Sequence, residues 1–180
     1  VEHMIVALEG LAVRLLDKDP RSNHYRYHDV MQALEEVTAK KNRNKQRKWD
    51  TEYLLKELLV HDLLQEVGTD TDGTPLYGFP HRTLMAYLAA MHYADEIEGR
   101  TAIRHTKLIS YLRVAYVSRR AWLPEYQDVI VLLCAKLKNP MPVIRTLIPK
   151  DIEKPKGEED DVFRNRLALA GLSLAEVRRE

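Results

Sequence analysis

The sequence predicts a mainly α-helical fold that carries one β-hairpin. Apolar residues recur at a spacing of three and four along most of the 180 residues, the signature of amphipathic helices. The period changes around one polar stretch ending Asp72-Gly73, where two short apolar runs face each other across a turn. Charged or proline-bearing turns separate the remaining segments.

Residues 4–16 place Ile5, Leu8, Leu11, Ala12, Leu15 and Leu16 on one helical face, and Asp17-Lys18-Asp19-Pro20 ends that helix. A second helix is expected to start near Asp29 as N-cap and to run through Val30, Leu34 and Val37. It gives way to the run from Lys40 to Lys48, which holds six cations and no apolar residue. The spacing predicts a third helix from Thr51 to Val60, capped by Asp50 or Thr51 and burying Leu54, Leu55, Leu58 and Leu59. The strands of the hairpin are expected over Leu63–Val67 and Pro75–Phe79, with Gly73 supplying the positive φ of the turn. No other strand pair is expected. Three helices followed by a hairpin is the order of a winged helix, and other small α+β units share it.

From Pro80 onward the pattern is helical. Thr83–Glu96 carries Leu84, Tyr87, Leu88, Met91 and Tyr93; Arg104–Val117 carries Leu108, Tyr111, Leu112 and Ala115; Pro124–Leu137 has a proline just inside its start. Asn139-Pro140-Met141-Pro142 stops that helix, and a short one follows over Val143–Ile148. A charged loop through Asp161 leads to a last helix expected to bury Val162, Leu167, Leu169, Ala170, Leu174 and Val177. Consecutive helices with short turns suggest an α-solenoid, although no clean internal repeat is visible. We therefore expect two domains, a winged-helix unit over 1–97 and a helical, HEAT-like unit over 98–180. The chain opens and closes on amphipathic helices without solvated tails, which reads as a piece of a longer protein.

Composition narrows the function. With 28 Lys and Arg against 27 Asp and Glu, no global basic field exists to draw in nucleic acid or a membrane surface. No apolar run reaches the roughly 20 residues that cross a bilayer. Cys134, the single cysteine, sits next to the apolar run Val129–Leu133, where a thiol is ordinarily inert packing; a cytoplasmic location fits it.

The residues that carry chemistry are few. None of the seven glycines precedes a lysine, so the phosphate-binding loop G-x-x-x-x-G-K-[ST] is absent. His24 and His28 are four apart, as on one helical face, but no third ligand completes a zinc set; a partly exposed pair near a helix start is the plainer reading. No nucleophile lies in a G-x-S-x-G context, and the acidic pairs Glu35-Glu36 and Glu158–Asp161 fit solvated surface. The chain is expected to have no catalytic site of its own. Lys40, Lys41, Arg43, Lys45, Arg47 and Lys48 form the one directional charge feature, a potential contact for nucleic acid or for an acidic partner.

The segment Tyr77-Gly78-Phe79-Pro80-His81-Arg82-Thr83-Leu84-Met85-Ala86-Tyr87-Leu88-Ala89-Ala90 resembles the end of the winged helix in NACHT-family signalling ATPases. That signature sets an aromatic before a histidine, then a Ser or Thr, then an aromatic and a small-residue pair opening the next helix. Met85-Ala86 stands where the family commonly has Gln-Glu. Leu54-Leu55-Lys56-Glu57-Leu58 ahead of the hairpin resembles the family's order of helix, wing and histidine. Trp122, Val129–Leu133, Asn139-Pro140, Arg166–Ala170 and Leu174-Ala175-Glu176 resemble the first repeat helices of bacterial members.

The resemblance implies a regulatory, non-catalytic segment that couples the nucleotide state of an upstream P-loop domain to a helical sensor region, in immunity or cell death such as antiphage defence. It implies that His81 reaches the phosphates of ADP held in that domain and keeps the resting state closed. ATP or ADP with Mg would belong to the parent protein, with no cofactor in this segment. Expected partners are the upstream ATPase domain and a protein ligand or further copies through the helical region. Two alternatives stand beside it: a winged-helix DNA-binding module using residues 40–48, and a helical scaffold for protein partners.

Overall fold

The computed structural model describes residues 2–42, 50–99, 113–117, 119–121, 123–148 and 165–177. It is mainly helical with a small three-stranded antiparallel sheet. Two compact units divide the chain, Val1–His92 and Tyr93–Glu180.

The first unit opens with α1 (Glu2–Lys18). Leu8, Leu11, Ala12, Leu15 and Leu16 are buried as their spacing predicts. Ile5 is 46% exposed, so the apolar stripe narrows toward the helix start. Gly10 lets α2 approach closely, for a Cβ there would lie 2.7 Å from Val37 Cγ2. β1 (Tyr25–Arg26) leads directly into α2 (Tyr27–Asn42), which starts two residues before Asp29. Asp29 occupies the first turn rather than the cap, where its carboxylate favours the helix dipole and meets the Lys18 ammonium.

Asp50 caps α3 (Thr51–Val60), its carboxylate accepting from the amides of Glu52 and Tyr53 at 3.0 and 3.4 Å. Leu54, Leu55 and Leu58 are buried there, and Leu59 is half-buried. The amides of Leu63 and Leu64 both bond the Leu58 carbonyl and close the helix. That requirement delays β2 to Gln65–Thr69, two residues later than expected. The turn bonds Gly73 N–H to the Asp70 carbonyl at 2.9 Å with Gly73 at φ 81°, and β3 (Pro75–Gly78) returns.

The sheet order is β1-β3-β2, antiparallel throughout. Tyr25 pairs with Tyr77 and Arg26 with Leu76, which makes β1 a strand beyond the expected hairpin. On the other side Glu66 pairs with Tyr77 and Gly68 with Leu76, so a bulge lies between Glu66 and Gly68. The Arg26 guanidinium also meets the Asp70 carboxylate, joining β1 to the hairpin turn.

α4 (Arg82–Glu98) follows β3 after three residues. It buries Met85, Ala86, Leu88, Ala89, Ala90, Tyr93 and Ala94, whereas Tyr87 is exposed. The buried face is thus rotated from the expected one, with Tyr93 and the small residues Ala86, Ala89, Ala90 and Ala94 inside and Tyr87 outside.

Within the second unit, α5 is described over 113–117; Leu108, Tyr111, Leu112 and Trp122 lie outside the described residues. Arg113 holds Glu96 through Nε–Oε2 at 2.7 Å and Nη2–Oε1 at 2.9 Å, a bidentate pair that offsets the burial of that carboxylate. Arg120 lies 3.7 Å over the Tyr116 ring. α6 (Pro124–Lys136) buries Tyr126, Val129, Ile130, Leu133 and Cys134, and α7 (Met141–Leu147) buries Val143, Ile144 and Leu147. α8 (Asn165–Val177) packs on both through Leu169, Ala170 and Ser173. Leu167 and Leu174, expected inside, are exposed, and Val162 lies outside the described residues. Serine on the buried face and leucine on the open one invert the hydropathy pattern on which that expectation rested.

Candidate functional site

His81 stands between β3 and α4 and is exposed. Its carbonyl accepts the first helical amides, from Leu84 at 3.0 Å and Met85 at 3.4 Å, so its backbone serves as the start of α4. The first turn of α4 contains no carboxylate. An exposed imidazole therefore sits at the positive end of a 17-residue helix with no acidic side chain in that turn.

Arg82 anchors this corner. Its Nη1 donates to Asn23 Oδ1 at 2.9 Å and its Nη2 to the Pro20 carbonyl at 2.6 Å, tying the start of α4 to the turn between α1 and β1. Below it Tyr25 is buried, its hydroxyl 2.9 Å from the Ser22 carbonyl and 3.7 Å from Met85 Sδ. Burial first, and the Asp19 charge second, push the Tyr25 phenol up to about 12. Met85 and Ala86 both point into this core, where Met85 is 2% exposed. Apolar side chains are what such burial favours at both positions.

A cleft of about 220 Å³ opens beside Arg82, with Asn23, His24 and Gln65 on its polar side and Phe79 and Met85 on its apolar side. His24 belongs to the segment before β1 and His28 to the first turn of α2, so the two histidines do not share a helix. Among the described residues no group of three or more His, Cys, Asp or Glu is placed to hold a metal ion. No helix among them is long and apolar enough to cross a membrane.

Lys40 and Lys41 fall in the last turn of α2, but their side chains lie outside the described residues, as do Arg43, Lys45, Arg47 and Lys48. The solvent side of α3 carries a feature that sequence reasoning passed over. Tyr53 is 61% and Val60 65% exposed, one heptad apart on the same stripe as Lys56 and Glu57. The sequence had placed no apolar expectation on either residue, and only the helix's observed seating separates them from the buried leucines. The nearby Glu57 carboxylate raises the pKa of the Tyr53 phenol, and it lies 3.7 Å from His61 Nε2.

No protein-family model matches this chain, and no curated protein matches it.

Proposed function

We propose that this chain is the winged-helix and adjoining helical segment of a NACHT-type signalling ATPase, a regulatory piece that acts on a nucleotide bound elsewhere in the parent protein. The observation that carries the reading is the placement of His81. It follows the last strand of a helix–strand–helix–helix–strand–strand unit, and the sheet order β1-β3-β2 supports reading that unit as a winged helix. It is exposed at the N-terminus of α4, and Arg82 fixes the backbone beside it. The packed helices α6, α7 and α8 support a HEAT-like start to the following region.

The residues at this corner suit a phosphate group. A histidine donor and a helix N-terminus both favour a diphosphate, and one such charge-assisted bond contributes about 1.5–3 kcal/mol. They amount to one wall of a site, so the nucleotide would be held by an upstream P-loop domain and merely touched from here. Loss of that touch biases a two-state molecule toward its open form.

The test is ADP retention by the parent protein. His81→Ala is expected to speed ADP release and raise basal activation, while the isolated 180-residue chain shows no measurable ADP affinity. An unchanged ADP off-rate in the full-length variant, or micromolar binding by the isolated chain, refutes the role. Reading the gene upstream of Val1 for G-x-x-x-x-G-K-[ST] checks the parentage directly.

The DNA-binding alternative is weakened by the charge of α3, the helix a winged helix inserts in the major groove. From Asp50 to Asp72 the chain carries seven carboxylates and one lysine, a formal net charge of −6 across α3 and the hairpin. Phosphate contacts require the opposite sign.

A further inference from the structure

We propose that the outer face of α3 is a docking surface for a basic amphipathic helix of a protein partner. This inference is independent of the nucleotide reading, since it uses neither His81 nor α4.

Two kinds of observation meet here. The first is apolar exposure in a spaced pattern. Tyr53 and Val60 are the most exposed large apolar side chains of the described residues, and they stand seven apart on one stripe of a capped helix. Isolated exposed apolar residues are ordinary, but a heptad-spaced pair flanked by charge is how one helix presents anchors to another. A tyrosine suits the centre of such a contact, because it offers a rigid apolar body with a polar tip.

The second observation is charge. Asp50, Glu52, Glu57 and Asp62 surround the stripe, and Lys56 is the single cation among residues 50–62. Glu52 and Asp62 are exposed, and Glu57 is half-buried beside Tyr53 and His61. Electrostatic complementarity therefore selects a basic partner and repels nucleic acid. The anchors are linear and one heptad long, which matches a helix with apolar residues at i, i+3 or i+4, and i+7, its lysines or arginines flanking them.

The probe is an 18-residue Lys/Leu amphipathic peptide, titrated into the isotope-labelled 180-residue chain and followed by amide chemical shifts. A Glu/Leu peptide of the same spacing and a 20-base-pair duplex serve as controls. The expected result is saturable binding whose largest shifts fall on Tyr53, Lys56, Glu57 and Val60. Affinity should fall as salt rises, and by about tenfold in Tyr53→Ala or in Glu52→Lys/Glu57→Lys. Glu52 and Tyr53 are exposed and Glu57 is half-buried outside the leucine core of α3, which the variants leave intact, and Val60→Ser supplies a second reading of the apolar anchor. Absence of saturable binding overturns the proposal. So do shifts centred elsewhere, affinity indifferent to Tyr53→Ala, or equal binding of the acidic peptide or the duplex.

Discussion

Arg82 and Asn23 stand 59 positions apart in the chain and meet at 2.9 Å, guanidinium to amide oxygen. The same guanidinium donates to the Pro20 carbonyl at 2.6 Å, so one side chain joins the start of α4 to the turn that follows α1. Removing it leaves a half-buried carbonyl without that donor. Arg82→Ala is expected to destabilise the first unit by about 1–3 kcal/mol. Arg82→Lys should recover less than half of the loss, because a compact ammonium cannot span both acceptors in the geometry of a planar fork. Urea unfolding of the two variants measures both, and a midpoint for Arg82→Ala equal to the parent chain's would refute the anchoring role.

Two glycines give opposite expectations for the same substitution. A Cβ on Gly78 would lie 2.6 Å from the Asn23 carbonyl oxygen, a backbone atom that cannot swing aside. Gly78→Ala should therefore cost about 1–3 kcal/mol by pushing β3 from the segment before β1. Gly171 lies within α8 and a Cβ there meets nothing within 4 Å. Gly171→Ala should stabilise by about 0.5–1 kcal/mol, since alanine loses less backbone freedom in a helix. Thermal unfolding of the pair settles the signs, and a stabilising Gly78→Ala would show that β3 and the Asn23 carbonyl are not in contact.

Where the local code was strong, the sequence was sufficient. The Asp50-Thr51 pair announced the start of α3, with Asp50 as the cap, and Gly73 the hairpin turn, because a carboxylate facing free amides and a residue at φ 81° are both local requirements. β1 was not legible: two residues are too few to show a period of two, and Tyr25 finds its partner Tyr77 across 52 positions, a separation no local window spans. Faces were misread where hydropathy and packing diverge, as on α8, where Ser173 is buried and Leu172 is 60% exposed. The site divides in the same way. The resemblance singles out His81 from the residues around it, but the hold of Arg82 on that corner lay beyond any local window, since its bonds reach to positions 20 and 23. The acidity of α3 was present in the composition all along. Its meaning depends on which side of the helix faces water.

The hairpin turn carries the pH dependence. The Thr71 amide, bonded to the Asp70 carboxylate at 2.6 Å, is the main reason that Asp70 titrates below its ordinary value, with Arg26 adding to it. Bonds from Thr74, side chain first and then backbone, lower Asp72 in the same way. A carboxylate whose folded-state pKa is depressed contributes stability above its unfolded pKa of about 3.9 and loses it as the pH falls through the folded value. The turn is therefore expected to be fully held at neutral pH and to loosen below about pH 4. Amide exchange at Thr71 and Thr74, compared between pH 7 and pH 3 after correction for intrinsic rates, reads this directly. Asp70→Asn/Asp72→Asn should flatten the acid response, and an undiminished response in that double variant would place its origin elsewhere.

Cys134 supplies an independent measure of how tightly the second unit is packed. It is fully buried on α6, and burial pushes its thiol up to about 11, with the nearby Ser173 hydroxyl on α8 opposing that rise. Only about one thiol in a thousand would be ionised at pH 8, and no reagent reaches it without opening of the α6–α8 contact. A disulfide reagent at pH 8 should therefore label the native chain at least about a hundredfold more slowly than a free cysteine, and at the free rate in denaturant. The sign of the linkage follows from the raised value: burial of the neutral thiol favours folding below its unfolded pKa, and that contribution disappears as the pH climbs through 11. Leu169→Ala on the buried face of α8 should accelerate labelling by loosening the same contact without touching the thiol. Rapid labelling of the native parent chain would mean that α8 is not seated on α6. A Leu169→Ala rate equal to the parent's would mean that opening proceeds by another route.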